Sequence, residues 1–284
     1  MLPNFIIIGA MKCGTTSLAY YLSQHPDVFV SNPDVIDFFS NDAVFDKGLE
    51  YYESFFEGAG NAIAIGEGSD DYTKGFNQKS VKASARIKEL LPDCKLIYLV
   101  KHPLRQIESS WLHRYASSRE KMPFNEAVIH SPFNYVETAN YKKQLDLYLN
   151  YFPKDQIKVL FTEDMAENPR DVVEACFTFL QVSNETNDLD FSAKNVSSHK
   201  IIDRGFTKML RNIPMINKLG EQLPPATKEK IGNFFTRKLD KRPEWNKESF
   251  HFVKDKLWDD SLDFLDQHGK EKNFWSLSDY QKFL

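Results

Sequence analysis

The chain has 284 residues, enough for one large domain with a hydrophobic core, and 42% of them are hydrophobic while 27% are charged. Its net charge of −4 argues against a general nucleic-acid binder, because there is no basic excess to neutralise a phosphate backbone. The widely spaced Cys13, Cys94 and Cys176 argue against a disulfide framework or a CxxC metal site. No apolar run reaches the roughly 20 residues of a membrane span, so we expect a cytoplasmic protein with reduced thiols.

Short apolar runs rich in β-branched residues alternate with helical patterns over the first two thirds of the chain. They predict five strands, at 4–9, 28–31, 62–67, 95–101 and 157–162. They also predict helices at about 16–24, 47–57, 78–91, 104–118, 138–152 and 169–181. This alternation predicts an α/β fold, with a mostly parallel central sheet and helices on both faces.

The pattern changes after about residue 183, where a polar segment without strand periodicity begins. Beyond it, helices are predicted at about 224–239 and 247–268. We therefore expect a single domain, residues 1–284, with a helical C-terminal cap at about 205–284.

The sequence GAMKCGTTSL, residues 9–18, joins the first predicted strand to the first predicted helix. Amide groups in a glycine-bracketed turn of this kind converge on one point, where the helix N-terminus adds partial positive charge. An ordinary tight turn would explain the glycines, but not a lysine beside three consecutive hydroxylated residues. The segment therefore predicts an anion site made by Lys12, Cys13, Gly14, Thr15, Thr16 and Ser17.

A second basic stretch, KHPLRQIESS, begins with Lys101 at the end of the fourth predicted strand. The carboxyl ends of parallel strands line the ligand crevice, where a magnesium-dependent nucleotide triphosphatase would commonly place an aspartate. Arg105 and Ser109 share one helix face if the helix begins at Pro103. A solvated basic helix start would explain this stretch on its own. Together with the first loop, it predicts a second, separate phosphate site.

These two motifs together resemble those of the sulfotransferases that use 3′-phosphoadenosine 5′-phosphosulfate (PAPS). That family pairs a 5′-phosphosulfate loop, [R/K]-x-G-T-[T/S], with a 3′-phosphate motif of an arginine, a nearby proline and a serine eight positions on. The corresponding segments here are Lys12 to Thr16 and Lys101 to Ser109. Segments 151–182 and 195–200 also resemble the family. The resemblance implies a P-loop-type fold, PAPS as the cofactor and adenosine 3′,5′-bisphosphate as its product.

The resemblance also implies roles for individual residues. Lys12 would act in catalysis, between the transferred sulfuryl group and the leaving phosphate. The 5′-phosphate would be held by Gly14, Thr15, Thr16 and Ser17. The 3′-phosphate would be held by Lys101 and Ser109. Because a lysine at 101 replaces the bidentate arginine fork with a point charge, Arg105 is a candidate to compensate. Lys200, in a polar loop, is carried over as a further nucleotide contact.

The acceptor must lose a proton, so a general base is expected within hydrogen-bond reach. In heparan and bacterial members of the family, a KE-x-H-F-F-like stretch often supplies it, and residues 31–42 occupy that region here. Val35 stands at the position of the usual glutamate. We rank Asp37 first as the base, Glu67 second and Asp34 third, with His113 a weaker candidate.

The acceptor is expected to contact the rim formed by the two acidic loops 34–46 and 67–71, which suit a polar or cationic molecule better than a polyanionic glycan. The segment 66–75 resembles the substrate side of the family, where Ser69, Tyr72 and Lys74 match frequent residues. It also supplies Asp70 and Asp71, beside Glu67, as further unranked candidates for the base. The predicted substrate-binding residues are Asp34, Asp37, Phe38, Glu67, Asp71 and Tyr72.

The predicted reaction is in-line transfer of a sulfuryl group from PAPS to a hydroxyl or amine of a small molecule such as a natural product, without a metal ion. A glycan or glycolipid acceptor stays open. So does a nucleotide-binding protein that has lost catalysis, because Val35 and Asp37 depart from the family pattern. A P-loop kinase with Glu67 or Asp71 as metal ligand is disfavoured, since no lysine follows Gly14.

Overall fold

The computed structural model describes residues 1–74, 78–184, 186, 188–192, 200–202, 236–238 and 242–283, and a five-stranded sheet forms its centre. The strands are β1 (Phe5–Gly9), β2 (Val28–Val30), β3 (Ala64–Glu67), β4 (Lys95–Val100) and β5 (Ile157–Phe161). They lie in the order β2-β3-β1-β4-β5, and every neighbouring pair is parallel. The predicted strands and the predicted parallel sheet are confirmed.

Helices separate the strands along the chain, as the predicted α/β pattern requires. Those before β4 are α1 (Thr15–Leu22), α2 (Asp42–Phe45), α3 (Leu49–Glu53) and α4 (Gln78–Leu90). Those between β4 and β5 are α5 (Pro103–Ala116), α6 (Phe124–His130), α7 (Tyr135–Ala139) and α8 (Tyr141–Leu149). Those after β5 are α9 (Thr162–Glu167), α10 (Pro169–Leu180) and α11 (Lys247–Gln267). Short 3₁₀ helices cover Ser54–Ala59, Asp70–Thr73, Lys154–Gln156 and Ser278–Phe283.

The C-terminal region differs in part from the predicted helical cap. Strand β6 (Lys200–Ile202) pairs antiparallel with strand β7 (Thr236–Lys238). The helix predicted at about 224–239 is therefore wrong at its C-terminal end, and the rest of it lies outside the described residues. The helix predicted at 247–268 is confirmed by α11, which follows an Asn246 cap whose side chain accepts from Ser249 N at 2.8 Å. The single-domain division stays a prediction.

The core forms on both faces of the sheet, which explains why the central strands are apolar without alternation. Every residue of β1 is buried, and so is β4 from Leu96 onward. A second buried cluster around Trp111, Phe124 and Phe250 joins α5 to α6 and α11. This second cluster fixes α5, the helix that begins at the carboxyl end of β4.

The strand order creates a crevice at the carboxyl end of β1. From β1 the chain builds β3 and β2 on one side of it, and then β4 and β5 on the other. Such a switch point separates the loops that follow neighbouring strands and leaves space for a ligand between them. The segments that meet here follow β1, β3 and β4 and carry most of the predicted site residues, whereas Asp34, Asp37 and Phe38 follow β2.

Gly66 tests this packing, because it lies in β3 between β2 and β1. A Cβ at this position would lie 2.4 Å from the ring of Phe5, which is fully buried. We expect Gly66→Ala to lower the free energy of unfolding by about 1–3 kcal/mol, as overpacked cores do. Urea denaturation measures this change. Gly58→Ala is the control, since its nearest neighbour would be Phe29 at 3.4 Å; equal midpoints for the two variants would contradict the predicted packing.

Candidate active site

The loop after β1 directs its carbonyl groups back into the protein. Gln106 Nε2 donates to Met11 O at 3.1 Å, and Thr162 Oγ1 donates to Cys13 O at 2.5 Å. Gln106 belongs to α5 and Thr162 begins α9, so two later elements fix the loop from behind. Because the carbonyl oxygens are engaged on the protein side, they do not repel an anion in the crevice.

Gly14 permits the sharp entry into α1. Its φ of 96° lies in the left-handed region, and a Cβ there would lie 3.0 Å from Met165 Cε. The helical ladder starts with Leu18 N donating to Gly14 O at 3.0 Å, so the amides of residues 14–16 precede it. Amide groups at a helix N-terminus, with the partial positive charge of the helix behind them, bind anions. The half-buried Thr15 and the exposed Thr16 add hydroxyl groups at the same point.

Lys12 and Lys101 bring two positive charges to this edge of the sheet. Both side chains are half-buried, and desolvation lowers the pKa of each amine below its ordinary value. The two charges also act on each other, since Lys12 further lowers the pKa of Lys101. Within the described residues, neither ammonium group has a hydrogen bond or an ion pair. Two desolvated cations that carboxylates reach only at longer range, without a contact ion pair, are what an anion site requires.

Cys13 faces the interior of the protein. Its Sγ lies 3.7 Å from the hydroxyl of Tyr141, and its amide donates to Ala10 O at 3.1 Å. Burial raises the pKa of its thiol to about 12. The thiol and the amide of Cys13 are therefore both engaged within the protein. This geometry argues against the predicted contact between Cys13 and the cofactor.

The second predicted motif divides between the crevice and the C-terminal region. Lys101 follows β4, and the half-buried Ser109 lies two turns into α5, which begins at Pro103 as predicted. Arg105 instead forms ion pairs with Glu108, at 3.1 Å, and with Asp279. Because its charge is already paired, Arg105 does not compensate for the lysine at 101. The backbone of Lys200 lies in β6, and its side chain falls outside the described residues.

Three of the predicted acceptor-side residues are buried beneath the crevice. Glu67 ends β3 as predicted, but it is completely buried and accepts hydrogen bonds from the hydroxyls of Tyr52, Ser69 and Tyr72. Phe38 stacks on Tyr52 with ring centroids 4.3 Å apart. Tyr72 is also fully buried. These positions argue against Glu67 as the base, and against direct acceptor contact by Phe38 or Tyr72.

The remaining acidic residues lie on the segments that follow β2 and β3. Asp34 and Asp37 are half-buried in the loop after β2. Asp70 and Asp71, in the 3₁₀ helix after β3, both form ion pairs with Lys74. Among carboxylates that the structure describes, Asp70 alone exerts a resolved charge effect on Lys12, whose pKa it raises. Sequence reasoning named Asp70 but did not rank it as a base.

His113 lies on α5 within electrostatic range of Lys12. Desolvation, together with the positive charges of Lys12 and Arg119, lowers the pKa of the His113 imidazole to about 4. Its Nε2 lies 2.7 Å from Arg119 Nη2 and accepts that hydrogen bond. Near neutral pH the ring is therefore neutral, and its basic nitrogen is already engaged, which weakens the case for His113 as the base.

Thr162 and Glu163, which the sequence analysis did not name, support the part of the crevice that carries Lys12 and Lys101. Thr162 Oγ1 lies within hydrogen-bond distance of both Cys13 O and Val100 O, and so joins the loop to the end of β4. Glu163 accepts from His102 N at 2.7 Å, and its charge raises the pKa of Lys101. Both residues directly follow β5, so the rule that polar residues at strand ends line the crevice could have identified them.

The family assignment agrees with this geometry. The sulfotransferase domain family matches residues 2–256. The chain belongs to this family. The predicted resemblance is confirmed, and the matched residues comprise the five-stranded sheet, the loop after β1 and the first half of α11.

Curated relatives of this sulfotransferase domain differ from it considerably in length. It is 24% identical over 303 residues to the membrane-associated sulfotransferase kil1 of Dictyostelium discoideum, and the alignment covers 74% of this chain and 62% of that protein. It is 28% identical over 230 residues to the bifunctional heparan sulfate N-deacetylase/N-sulfotransferase 1 of Xenopus laevis, covering 73% of this chain and 26% of that protein. The chain thus spans less than two thirds of either relative.

A sulfotransferase from Alicyclobacillus acidocaldarius has a similar solved structure. The two share 25% sequence identity with a TM-score of 0.59, over 80% of this chain and 98% of the other. This likeness agrees with the predicted P-loop-type fold. In the part of the chain that the structure describes, no helix is both long and apolar enough to cross a bilayer.

Glu67 predicts a pH dependence of stability. Burial raises the pKa of its carboxyl from the ordinary 4.5 to about 7, although three hydroxyl donors oppose the shift. Between these pH values the native state holds a proton that the unfolded chain has released, so this stabilisation is present below 4.5 and lost as the pH rises through 7. We expect wild type to lose roughly 3 kcal/mol relative to Glu67→Gln across that window. Urea denaturation of both proteins at several pH values measures it, and parallel stability curves would contradict it.

Proposed function

We propose that this sulfotransferase domain transfers a sulfuryl group from PAPS to a hydroxyl or amine of a small-molecule acceptor. The observation that carries the proposal is the pair of desolvated ammonium groups, Lys12 and Lys101, at the carboxyl edge of the sheet. PAPS carries negative groups at two separated positions. The site offers two cations, one after β1 and one after β4, and the N-terminus of α1 lies next to the first.

The chain offers a distinct group of residues for each end of such a nucleotide. The amides of Gly14, Thr15 and Thr16, with the hydroxyl groups that follow Gly14, suit the 5′ end. Lys101 and Ser109 suit the 3′-phosphate, and Lys200 remains a proposed additional contact. When bound, PAPS supplies the sulfuryl group together with a good leaving group.

Lys12 is the residue proposed to assist the transfer. Its left-handed φ of 66° fixes its backbone inside the loop, and its partly desolvated ammonium group strengthens any interaction with nearby negative charge. Fixed cations and amide donors that meet developing charge without reorganising are the effective form of electrostatic catalysis. Lys12 would thus stabilise charge at the bond that breaks, while the amides hold the phosphate in line.

Asp37 and Asp70 are the proposed candidates for the general base. Asp37 remains first among the original candidates because Glu67 is sealed beneath the crevice, whereas Asp37 is half-buried on the rim. Asp70 joins it because its charge acts on Lys12. A base near the lysine that meets the donor would lie near the transferred group, as proton removal requires.

The acidic rim favours an acceptor that is neutral or cationic. Asp34, Asp37, Asp70 and Asp71 lie on the two segments that border the acceptor side, and Lys74 partly offsets the last two. A polyanionic glycan would be repelled by these carboxylates. The relatives named as heparan sulfate N-sulfotransferases keep a glycan amine as the alternative.

A cytoplasmic location also stays a prediction.

Calorimetry with adenosine 3′,5′-bisphosphate tests the donor site. We expect the wild-type protein to bind it, and Lys12→Ala and Lys101→Ala each to weaken binding by about 10- to 100-fold, since each removes a charged hydrogen-bond donor. Lys95→Ala is the matched control, because Lys95 lies on β4 at the end opposite the crevice. No heat of binding in wild type, or equal losses in all three variants, would overturn the proposal.

Turnover of labelled PAPS with a panel of amine and hydroxyl acceptors tests the reaction. We expect Asp37→Asn or Asp70→Asn to lower kcat at least about 100-fold if that carboxylate is the base. Asp146→Asn, which removes an exposed carboxylate of α8 paired with Lys142, is the control. Nucleotide binding without turnover of any acceptor would instead identify a binding protein that has lost catalysis.

A further inference from the structure

A buried carboxylate lies directly beneath the loop that borders the acceptor side. Glu67 is 0% exposed, and its two oxygens accept three hydrogen bonds from hydroxyl groups. Tyr52 and Tyr72 donate to Oε1 at 3.0 and 2.7 Å, and Ser69 donates to Oε2 at 2.5 Å. A buried carboxylate carries a large desolvation cost, and three convergent donors offset that cost without making it a favourable core residue.

Two of these hydroxyl groups extend the network to the backbone of the acceptor-side loop, residues 34–39. Ser69 Oγ accepts from Ile36 N at 3.0 Å and from Asp37 N at 2.9 Å. Tyr72 Oη accepts from Phe39 N at 3.3 Å. A serine hydroxyl has one hydrogen and two lone pairs, so Ser69 is saturated by this arrangement. Its hydrogen is directed to Glu67, which leaves both lone pairs facing the loop.

The acceptor-side loop depends on these bonds because it belongs to neither a helix nor a strand. Asp37 has a φ of 58°, in the left-handed region, which is uncommon for residues other than glycine although aspartate adopts it more readily than most. A backbone bond from Gly68 N to Asp34 O, 2.6 Å long, ties the start of the loop to the end of β3. The carboxylate and its two hydroxyl bridges therefore determine where Asp37 lies on the rim.

We propose that Glu67 is a positioning residue for the sulfotransferase reaction, because through Ser69 and Tyr72 it holds the acceptor-side loop and sets Asp37 at the crevice. This inference rests on the proposed function for its catalytic consequence, although its structural part stands on the hydrogen bonds alone. Positioning explains why an acid is buried here, which neither proton abstraction nor simple filling of the core explains. Apolar side chains would fill the same space without the desolvation cost.

Site-resolved amide hydrogen exchange tests the hydrogen-bonded arrangement. In Ser69→Ala, we expect the amides of Ile36 and Asp37 to exchange at least about 10-fold faster, since a lost hydrogen bond to a buried group is worth that much. In Tyr72→Phe, the amide of Phe39 should exchange faster instead, because it donates to the Tyr72 hydroxyl. The amide of Ser31, which donates to Gly66 O in the sheet, serves as the internal reference.

Tyr52→Phe is the matched control, because the Tyr52 hydroxyl donates to the same carboxylate, whereas Tyr52 contacts the acceptor-side loop only through its ring, which phenylalanine keeps. It should leave the exchange of all three loop amides unchanged. Ser69→Thr keeps the hydroxyl group and should restore slow exchange that Ser69→Ala loses. If Ser69→Ala leaves Ile36 and Asp37 at wild-type rates, or if Tyr52→Phe accelerates them equally, the inference is overturned.

The catalytic consequence is measured with labelled PAPS and a glucosamine trisaccharide as the acceptor probe. Ser69→Ala should lower kcat/KM for the probe at least about 10-fold, while calorimetry shows less than a twofold change in affinity for adenosine 3′,5′-bisphosphate. A loss of nucleotide affinity equal to the loss of turnover would contradict positioning of the acceptor side. If wild type neither binds the nucleotide nor turns over the probe, the proposed function fails, and the exchange pattern alone then decides the inference.

Discussion

The site depends on two lysine ammonium groups that the fold keeps partly desolvated at one edge of a parallel sheet. Lys12 and Lys101 lower each other's stability as cations, and the helix N-terminus beside them adds further positive potential. Neither has an ion pair among the residues that the structure describes. An anion that met both lysines would relieve this repulsion, which is the physical basis of the proposed donor site.

Buried carboxylates hold the structure on both sides of this arrangement. On the acceptor side, Glu67 collects three hydroxyl donors beneath the acceptor-side loop. On the other side, Glu108 of α5 accepts from Trp245 Nε1 at 2.9 Å and Tyr280 Oη at 2.8 Å, and pairs with Arg105. Glu108 joins segments far apart in sequence, whereas the donors to Glu67 come from nearby segments that flank β3. Fully satisfied polar networks of this kind are costly to bury but specify one arrangement of their partners.

The sequence predicts the positions of Lys12 and Lys101 in the fold better than the surroundings of the acceptor-side residues, and the reason is physical. Lys12 and Lys101 lie in the segments that follow the buried strands β1 and β4. The carboxyl ends of parallel strands lie at the same edge of the sheet, whatever the packing of the helices. Glu67 also ends a strand, but whether its side chain points into the crevice or beneath it depends on Tyr52, which lies on a separate helix. Likewise, the spacing of Arg105 on α5 does not reveal Asp279, its partner 174 residues away. Local patterns determine which edge a residue occupies, whereas tertiary partners determine what it faces.

Asp70 connects the two halves of the crevice electrostatically. It belongs to the acidic rim through its ion pair with Lys74, and it also raises the pKa of Lys12 on the donor side. Before a nucleotide binds, Asp70 is the described carboxylate that stabilises Lys12 as a cation. A bound donor would take over that role, because its negative charge lies against the same ammonium group. In that complex the negative charge of Asp70 would act less on Lys12. It could then attract a cationic acceptor or accept the proton that the acceptor releases. If the proposed donor binds at Lys12, this order of charges would favour binding of the donor before the acceptor.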